Sequence, residues 1–504
     1  MKDDSSVARN TRWNFLGTGI PIIAAIVAIP LLIRGLGTER FGVLAISWVV
    51  LGYFALFDLG LGRATTKFVS EYIERKELKK LPNLVWNSLA AHVALGLVGG
   101  GILAMLARWL TQMFFNVPNY LQYESLNAFY LLAISVPSIV AIACLRGVLE
   151  AIQRFDLVNA VKIPASVINY LAPLIVLHYT NDLAAVVGVI VASRFVVLVV
   201  YFYLCLRALP VLKSGFGFAP EVIKPLIGFG GWLTVSSLIT PIILFLDRFF
   251  IAAIFTIVAV TYYVTPYEVV TKLWIFSASL LAALFPVFSA MSVSRAHEIR
   301  ALSWRAFHFL LFLVTPLVGI LLTFGRELLE VWVGHTFAVE STAVAKWLAV
   351  GVLINILAQV PYTVLQGTGR ADVVAKLQLA ELPFYAALAW YLSGIFGTVG
   401  VAMAWSVRAL ADAGMLSIAA NRLLLERRTR LRGVTVNAKM VIVPLFLLTC
   451  WVLDSSFRFF VQPKLLPFAL LLGLYLFWQW FYLLNSSEHS QLIGWFKQMT
   501  KLGR

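Results

Sequence analysis

A chain of 504 residues that is 61% hydrophobic and 13% charged, with a mean hydropathy of +0.88, has too little charge to cover a soluble domain of that length. Composition therefore specifies an all-α polytopic membrane protein. The net charge of +16 would suggest nucleic acid in a soluble protein, but in a membrane chain it first reports topology.

The polar start MKDDSSVARNTRW lacks a small-residue cleavage site and leads into an apolar run of full-span length, which reads as an uncleaved first helix. A spanning helix needs about 20 apolar residues. That window predicts fourteen spans, at 14–33, 41–62, 84–107, 125–149, 157–178, 183–206, 226–246, 258–290, 304–325, 341–366, 372–394, 397–420, 437–455 and 464–484. The long segment 258–290 is predicted to tilt or break near Pro266 or Pro286. Barrel strands are not read here, because they would show as alternating runs of about 10 residues.

Basic residues fall unevenly on the loops. With both termini cytoplasmic, the inner side takes Lys2, Arg9 and Arg12, the run from Arg63 to Lys80, Arg154, Lys162, Arg207, Lys213, Lys224, Arg295, Arg300, Arg305, Arg370, Lys376, the linker from Arg422 to Lys439 and the tail from Lys497 to Arg504, 28 in all. The outer side takes Arg34, Arg40, Arg108, Arg248, Arg326, Arg458 and Lys464, which leaves a bias of about four to one. Topology accounts for most of the charge, and no nucleic-acid site is read. The linker Arg427 to Arg432 is also placed to meet anionic lipid headgroups.

Three echoes recur in chain order. GTGIPIIAAIVAIP from Gly17 matches GFGGWLTVSSLITP from Gly228. LRG from Leu145, then RFDLV from Arg154, resembles LQG from Leu365, then RADVV from Arg370. GVIVASR from Gly188 resembles GVAMAWSVR from Gly400. Six helices separate each pair of copies, so the halves run parallel, related by an axis along the membrane normal. The predicted organisation is an N-lobe at 1–214, a C-lobe at 215–428 and an appended pair of helices with a cytoplasmic tail at 429–504. Two six-helix lobes of this kind bound a central cavity.

A charge near the bilayer centre costs about 2.5–3.5 kcal/mol on insertion scales, so charges within the spans are functional candidates. Arg194 lies mid-helix in VIVASRFVVLV with no carboxylate within four residues. Lys272 has Glu268 one turn earlier, and Arg408 has Asp412 one turn later. Either pair reads as an intrahelical ion pair or as charges that separate in a working cycle. Lys346 and Arg146 lie nearer helix ends, where long side chains snorkel. Asp58 in FDLGLG reads as a cap or a partner of Arg63, and Glu381 sits before Pro383. Arg194, Lys272, Arg408, Arg146 and Lys346 outnumber the carboxylates counted with them. That surplus suits an anion, and guanidinium groups match phosphate oxygens especially well. Glu268, Asp412 and Asp58 are the candidates for ion coupling or charge balance. Cys144, Cys205 and Cys450 are too scattered for a disulfide framework or a metal site.

Asn14, Gly17 and Pro30, followed by RGLGTERFG, resemble the start of bacterial polysaccharide-unit flippases of the multidrug/oligosaccharidyl-lipid/polysaccharide exporter superfamily. FDLGLGRATTKFVSEY from Phe57 and LRGVLEAIQRFD from Leu145 carry the same resemblance. The resemblance implies translocation of an undecaprenyl-diphosphate-linked oligosaccharide across the bacterial inner membrane through a cavity lined by Arg and Lys. The partners it implies are that substrate, membrane lipids, and a polysaccharide polymerase with other glycan assembly proteins. No cofactor is implied. A cation-coupled drug exporter of the same superfamily would favour acidic residues in the cavity. A membrane glycosyltransferase or glycan polymerase would want a long outer loop, and the loop after the first span is only RGLGTERFG.

Overall fold

A computed structural model describes residues 4–56, 61–115, 117–214, 231–290, 296–425, 442–456 and 462–479. These residues are helical almost throughout, joined by short turns, and none is in a strand. Nine of their helices are long and apolar enough to cross a membrane. The protein is a multi-pass, all-α membrane protein.

Packing divides the chain into two units, one of residues 1–265 with 378–390 and one of residues 266–377 with 391–504. The first unit opens with α1 (Asp4–Leu56), which runs through both spans expected at 14–33 and 41–62. The expected outer loop between them is a kink at Gly37, whose φ of 80° suits glycine. Beyond the kink, Arg40 binds Glu124 through two hydrogen bonds of 2.9 and 2.8 Å. Glu124 opens α4 (Gln122–Ala151) and also accepts from the Leu183 amide at the start of α6 (Leu183–Ala208). One carboxylate thus gathers three helix ends.

The basic stretch after Asp58 is not all loop. Residues Leu61–Glu74 form α2, which buries Leu61, Ala64 and Val69 against α3 (Leu81–Trp109), α4 and their neighbours. α3 lies close along α4, where a side chain at Gly100 would meet the Ala133 carbonyl. α5 (Phe155–Leu177) packs on α1 and α6. The expected seventh span, α7 (Gly231–Ile254), packs on α1 in this unit. The first residues of α8 (Ile257–Val270) are tied to α1 by Thr261, which donates to the Thr38 carbonyl at 2.7 Å.

The segment expected to tilt or break near Pro266 or Pro286 tightens into a single 3-10 turn at Thr271–Leu273, between α8 and α9 (Trp274–Ala290). The Thr271 hydroxyl donates to the Tyr267 carbonyl at 2.7 Å, which competes with the helical hydrogen-bond ladder at that point. In the second unit α11 (His335–Gly367) is the central helix. It packs on α9, α10 (Ala296–Trp332) and α13 (Thr398–Leu425), and Ser406 donates to the Trp347 carbonyl at 2.7 Å. The chain between α11 and α13 forms α12 (Ala371–Phe396). The appended pair is α14 (Ile442–Ser456), which packs on α10, and α15 (Gln462–Trp478).

The second sequence echo has a shared local structure. Gln153 with φ 60° and Gly369 with φ 82° each turn the chain out of a helix. Arg154 N–H bonds the Leu149 carbonyl at 3.0 Å, and Arg370 N–H bonds the Leu365 carbonyl at 2.8 Å. Each arginine then pairs with the aspartate two residues on, Asp156 at 2.9 Å and Asp372 at 3.2 Å. The structural register therefore matches LEAIQRFD from Leu149 with LQGTGRAD from Leu365. This corrects the alignment of Leu145 with Leu365 by one helical turn. Val148, Leu149 and Val158 are buried in one unit, and Val364, Leu365 and Val374 at the same offset are buried in the other.

Candidate functional site

In the second unit, the residues that follow Pro266 bring charge and aromatic surface together. Tyr267 is buried, and its ring meets Trp274 and Trp405 edge-on at 6.4 and 6.1 Å. Arg408, one turn beyond Trp405 on α13, is also buried and holds its guanidinium 5.5 Å from the Trp405 ring. A desolvated cation over indole gains about 2 kcal/mol from the ring's quadrupole. Beside Tyr267, Glu268 accepts from Lys272 at 2.9 Å, and both side chains are partly exposed. Lys272 lies in the turn between α8 and α9. Asp412 follows one turn after Arg408 and is half-buried. Arg408 thus lies against the aromatic cluster of Tyr267, Trp274 and Trp405, while Glu268 and Lys272 pair with each other on the chain just after Tyr267.

Arg194 belongs to the first unit. Its Nη2 donates to the Asn169 side-chain oxygen on α5 at 2.8 Å, while its buried Nε has no hydrogen-bond partner among the described residues. The neighbouring Tyr170 packs edge-on against Trp48 of α1 at 5.2 Å. A neutral amide orients this guanidinium and leaves its charge unmatched by it. Arg146, near the end of α4, is exposed, with Glu150 at 3.5 Å. Asp58 lies outside the described residues. A cavity of about 280 Å³ lies at the α1 kink, lined by Leu36, Gly37, Thr38, Glu39, Arg40 and Tyr120, away from all the expected site residues.

Lys346 has a different setting from the anion-facing position expected of it. It is buried and forms an ion pair with Asp454 of α14, with Trp451 at 5.5 Å. Asp454 also accepts from Lys464 of α15 at 2.8 Å, and Lys464 pairs with Glu327 of α10. Lys464, expected on the outer side at the start of the last span, is fully buried near the start of α15. Arg248 is likewise buried within α7 near the Phe245 ring, next to a fully buried Asp247 that accepts from Tyr263 at 2.7 Å.

Sequence reasoning passed over the buried Asp247 and Asp454 and the partly buried Glu327. Asp247 and Glu327 lie within a turn of an expected span boundary, and Asp454 lies at the end of the thirteenth span. Charges at span edges were the available signal. Among the described residues no three His, Cys, Asp or Glu side chains converge as metal ligands would. Outside the spans, Lys80 at 2.8 Å holds the Glu77 carboxyl below its ordinary range.

The family model described as "Polysaccharide biosynthesis protein" matches residues 7–292, more than half of the chain. A Shigella flexneri protein named "Putative O-antigen transporter" is 29% identical over 417 residues, covering 82% of this chain and 97% of its own length. An inward-facing multidrug resistance MATE family transporter of the MOP superfamily superposes with a TM-score of 0.66 at 14% identity, over 82% of this chain and 99% of its own. A MOP superfamily transporter from Pyrococcus furiosus, described as having a binding pocket of reverse polarity, superposes with a TM-score of 0.59 at 13% identity. It covers 84% of this chain and 96% of its own. At these identities the structural likeness carries the fold.

Proposed function

Because the chain belongs to the polysaccharide biosynthesis protein family, we propose that this membrane transporter is a flippase for an undecaprenyl-diphosphate-linked oligosaccharide. It works in the bacterial cytoplasmic membrane with both termini inside. The likeness to a protein named as an O-antigen transporter supports the substrate class. The observation that carries the reading is Arg194, a guanidinium in an apolar helix oriented by neutral Asn169 alone among the described hydrogen bonds. Such a group keeps charge available for an anion. Arg408 over Trp405 and Lys272 beside Glu268 add cations on aromatic and polar surface, which suits a diphosphate attached to sugar rings.

In this reading the lobes at 1–214 and 215–428 alternate in access, the helices at 429–504 are accessory, and the product passes to a polymerase and other glycan assembly proteins. The test is Arg194→Glu in cells that depend on this chain for surface glycan. The variant should reach the membrane at the normal level and abolish export. Full export would overturn the reading. The alternative, a cation-coupled drug exporter, draws on the buried Asp247–Tyr263 pair. Uptake of cationic dyes that depends on Asp247 would favour it.

A further inference from the structure

α14 and α15 turn a lipid-like surface outward. Leu445, Leu448, Val452, Leu465, Leu466, Leu470 and Leu474 are exposed. In a bilayer such helices gain no hydrophobic free energy by docking, because acyl chains are as apolar as leucine. Packing against α10 does occur: Phe446 and Cys450 lie over Gly319, and Phe446 stacks on Tyr475 at 4.1 Å. Those contacts are apolar and would tolerate a shifted register.

The charges would not. The side chains of Lys464, Asp454 and Lys346 are 0%, 6% and 7% exposed, and that of Glu327 is 18% exposed. They form an unbroken series, Lys346–Asp454–Lys464–Glu327, across α11, α14, α15 and α10. Asp454 and Lys464 sit at the adjoining ends of α14 and α15, where long side chains reach the interface easily. Their burial is therefore a specific pairing rather than a necessity of the membrane. A buried ion pair adds little net stability, yet removing one member leaves a buried charge unmatched, and its best-attested use is to select one register. Structures of this fold reach 96–99% of their own length on 82–84% of this chain, so this chain carries extra sequence to be positioned.

We propose that Asp454 and Lys464 are positioning residues, a two-pronged clasp that seats the α14–α15 hairpin on Lys346 of α11 and Glu327 of α10. Charge matching, rather than apolar packing, sets the register of the hairpin. This inference does not depend on the transported substrate. Cys450, buried in the seated hairpin, supplies the readout once Cys144 and Cys205 are replaced by serine.

The experiment is labelling of Cys450 in native membranes by a small permeant maleimide. Asp454→Lys places three cations together, and labelling should rise at least about tenfold. The fourfold inversion Glu327→Lys, Lys346→Glu, Asp454→Lys and Lys464→Glu restores every pair, and labelling should return to within about threefold of the parent. An apolar set, Glu327→Met, Lys346→Met, Asp454→Leu and Lys464→Met, leaves no unpaired charge and should label faster than the parent. It decides the matter if the inverted chain does not insert. Parent-like protection in Asp454→Lys or in the apolar set, or an inverted chain as reactive as Asp454→Lys, would overturn the proposal.

Discussion

Lys272 donates to Glu268 at 2.9 Å from within the turn that separates α8 from α9. The side chains are 29% and 20% exposed, so an i, i+4 pair of this kind contributes only about 0.3–1 kcal/mol to stability. The pairing also holds the ammonium at the turn, next to the Glu268 carboxylate.

Exchanging the two charges with Glu268→Lys and Lys272→Glu separates these roles. Thermal stability in detergent should stay within about 1 kcal/mol of the parent. Glycan export should fall at least about tenfold, because the cation no longer stands in the turn. Equal export by the exchanged protein would assign the pair a structural role.

Arg194 and Asn169 predict a graded series. Arg194→Lys keeps the charge but loses the planar fork that reaches Asn169 at 2.8 Å. Export should drop to an intermediate level, while Arg194→Gln should lose nearly all of it. Asn169→Leu should resemble Arg194→Lys, since it removes the orienting oxygen and spares the charge. Export is scored by the surface-glycan ladder at matched membrane levels.

Packing of α11 against α13 depends on Gly351. A β-carbon there would lie 2.5 Å from the Ser406 hydroxyl and 2.7 Å from Trp405. Gly351→Ala should destabilise the second unit by about 1–3 kcal/mol through overpacking. Gly414→Ala on α13 meets nothing within 4 Å and should be neutral or stabilise by up to about 1 kcal/mol. Detergent melting curves of the two variants check the contrast.

The matched turns at Gln153 and Gly369 predict opposite effects of opposite changes. Gln153→Gly relieves a side chain at φ 60° and should be neutral or mildly stabilising. Gly369→Val places a β-branched residue at φ 82° and should cost about 1–3 kcal/mol. Arg154→Ala and Arg370→Ala break half-exposed pairs and should each change stability by no more than about 1 kcal/mol.

The amino-acid sequence alone determined the helical membrane class, most of the spans and the paired turns at Arg154 and Arg370. Those follow from local properties, namely the length of apolar runs, the bias of basic residues and turn chemistry such as that of Arg154 and Arg370. Tertiary structure decided which charges are matched. Lys346 and Lys464 are separated by 118 positions and lie on different helices, yet both meet Asp454. Arg194 meets only the amide of Asn169 among the described hydrogen bonds, 25 positions away. No window of sequence contains those distances, because in lipid a charge finds its partner through helix packing rather than through neighbours along the chain.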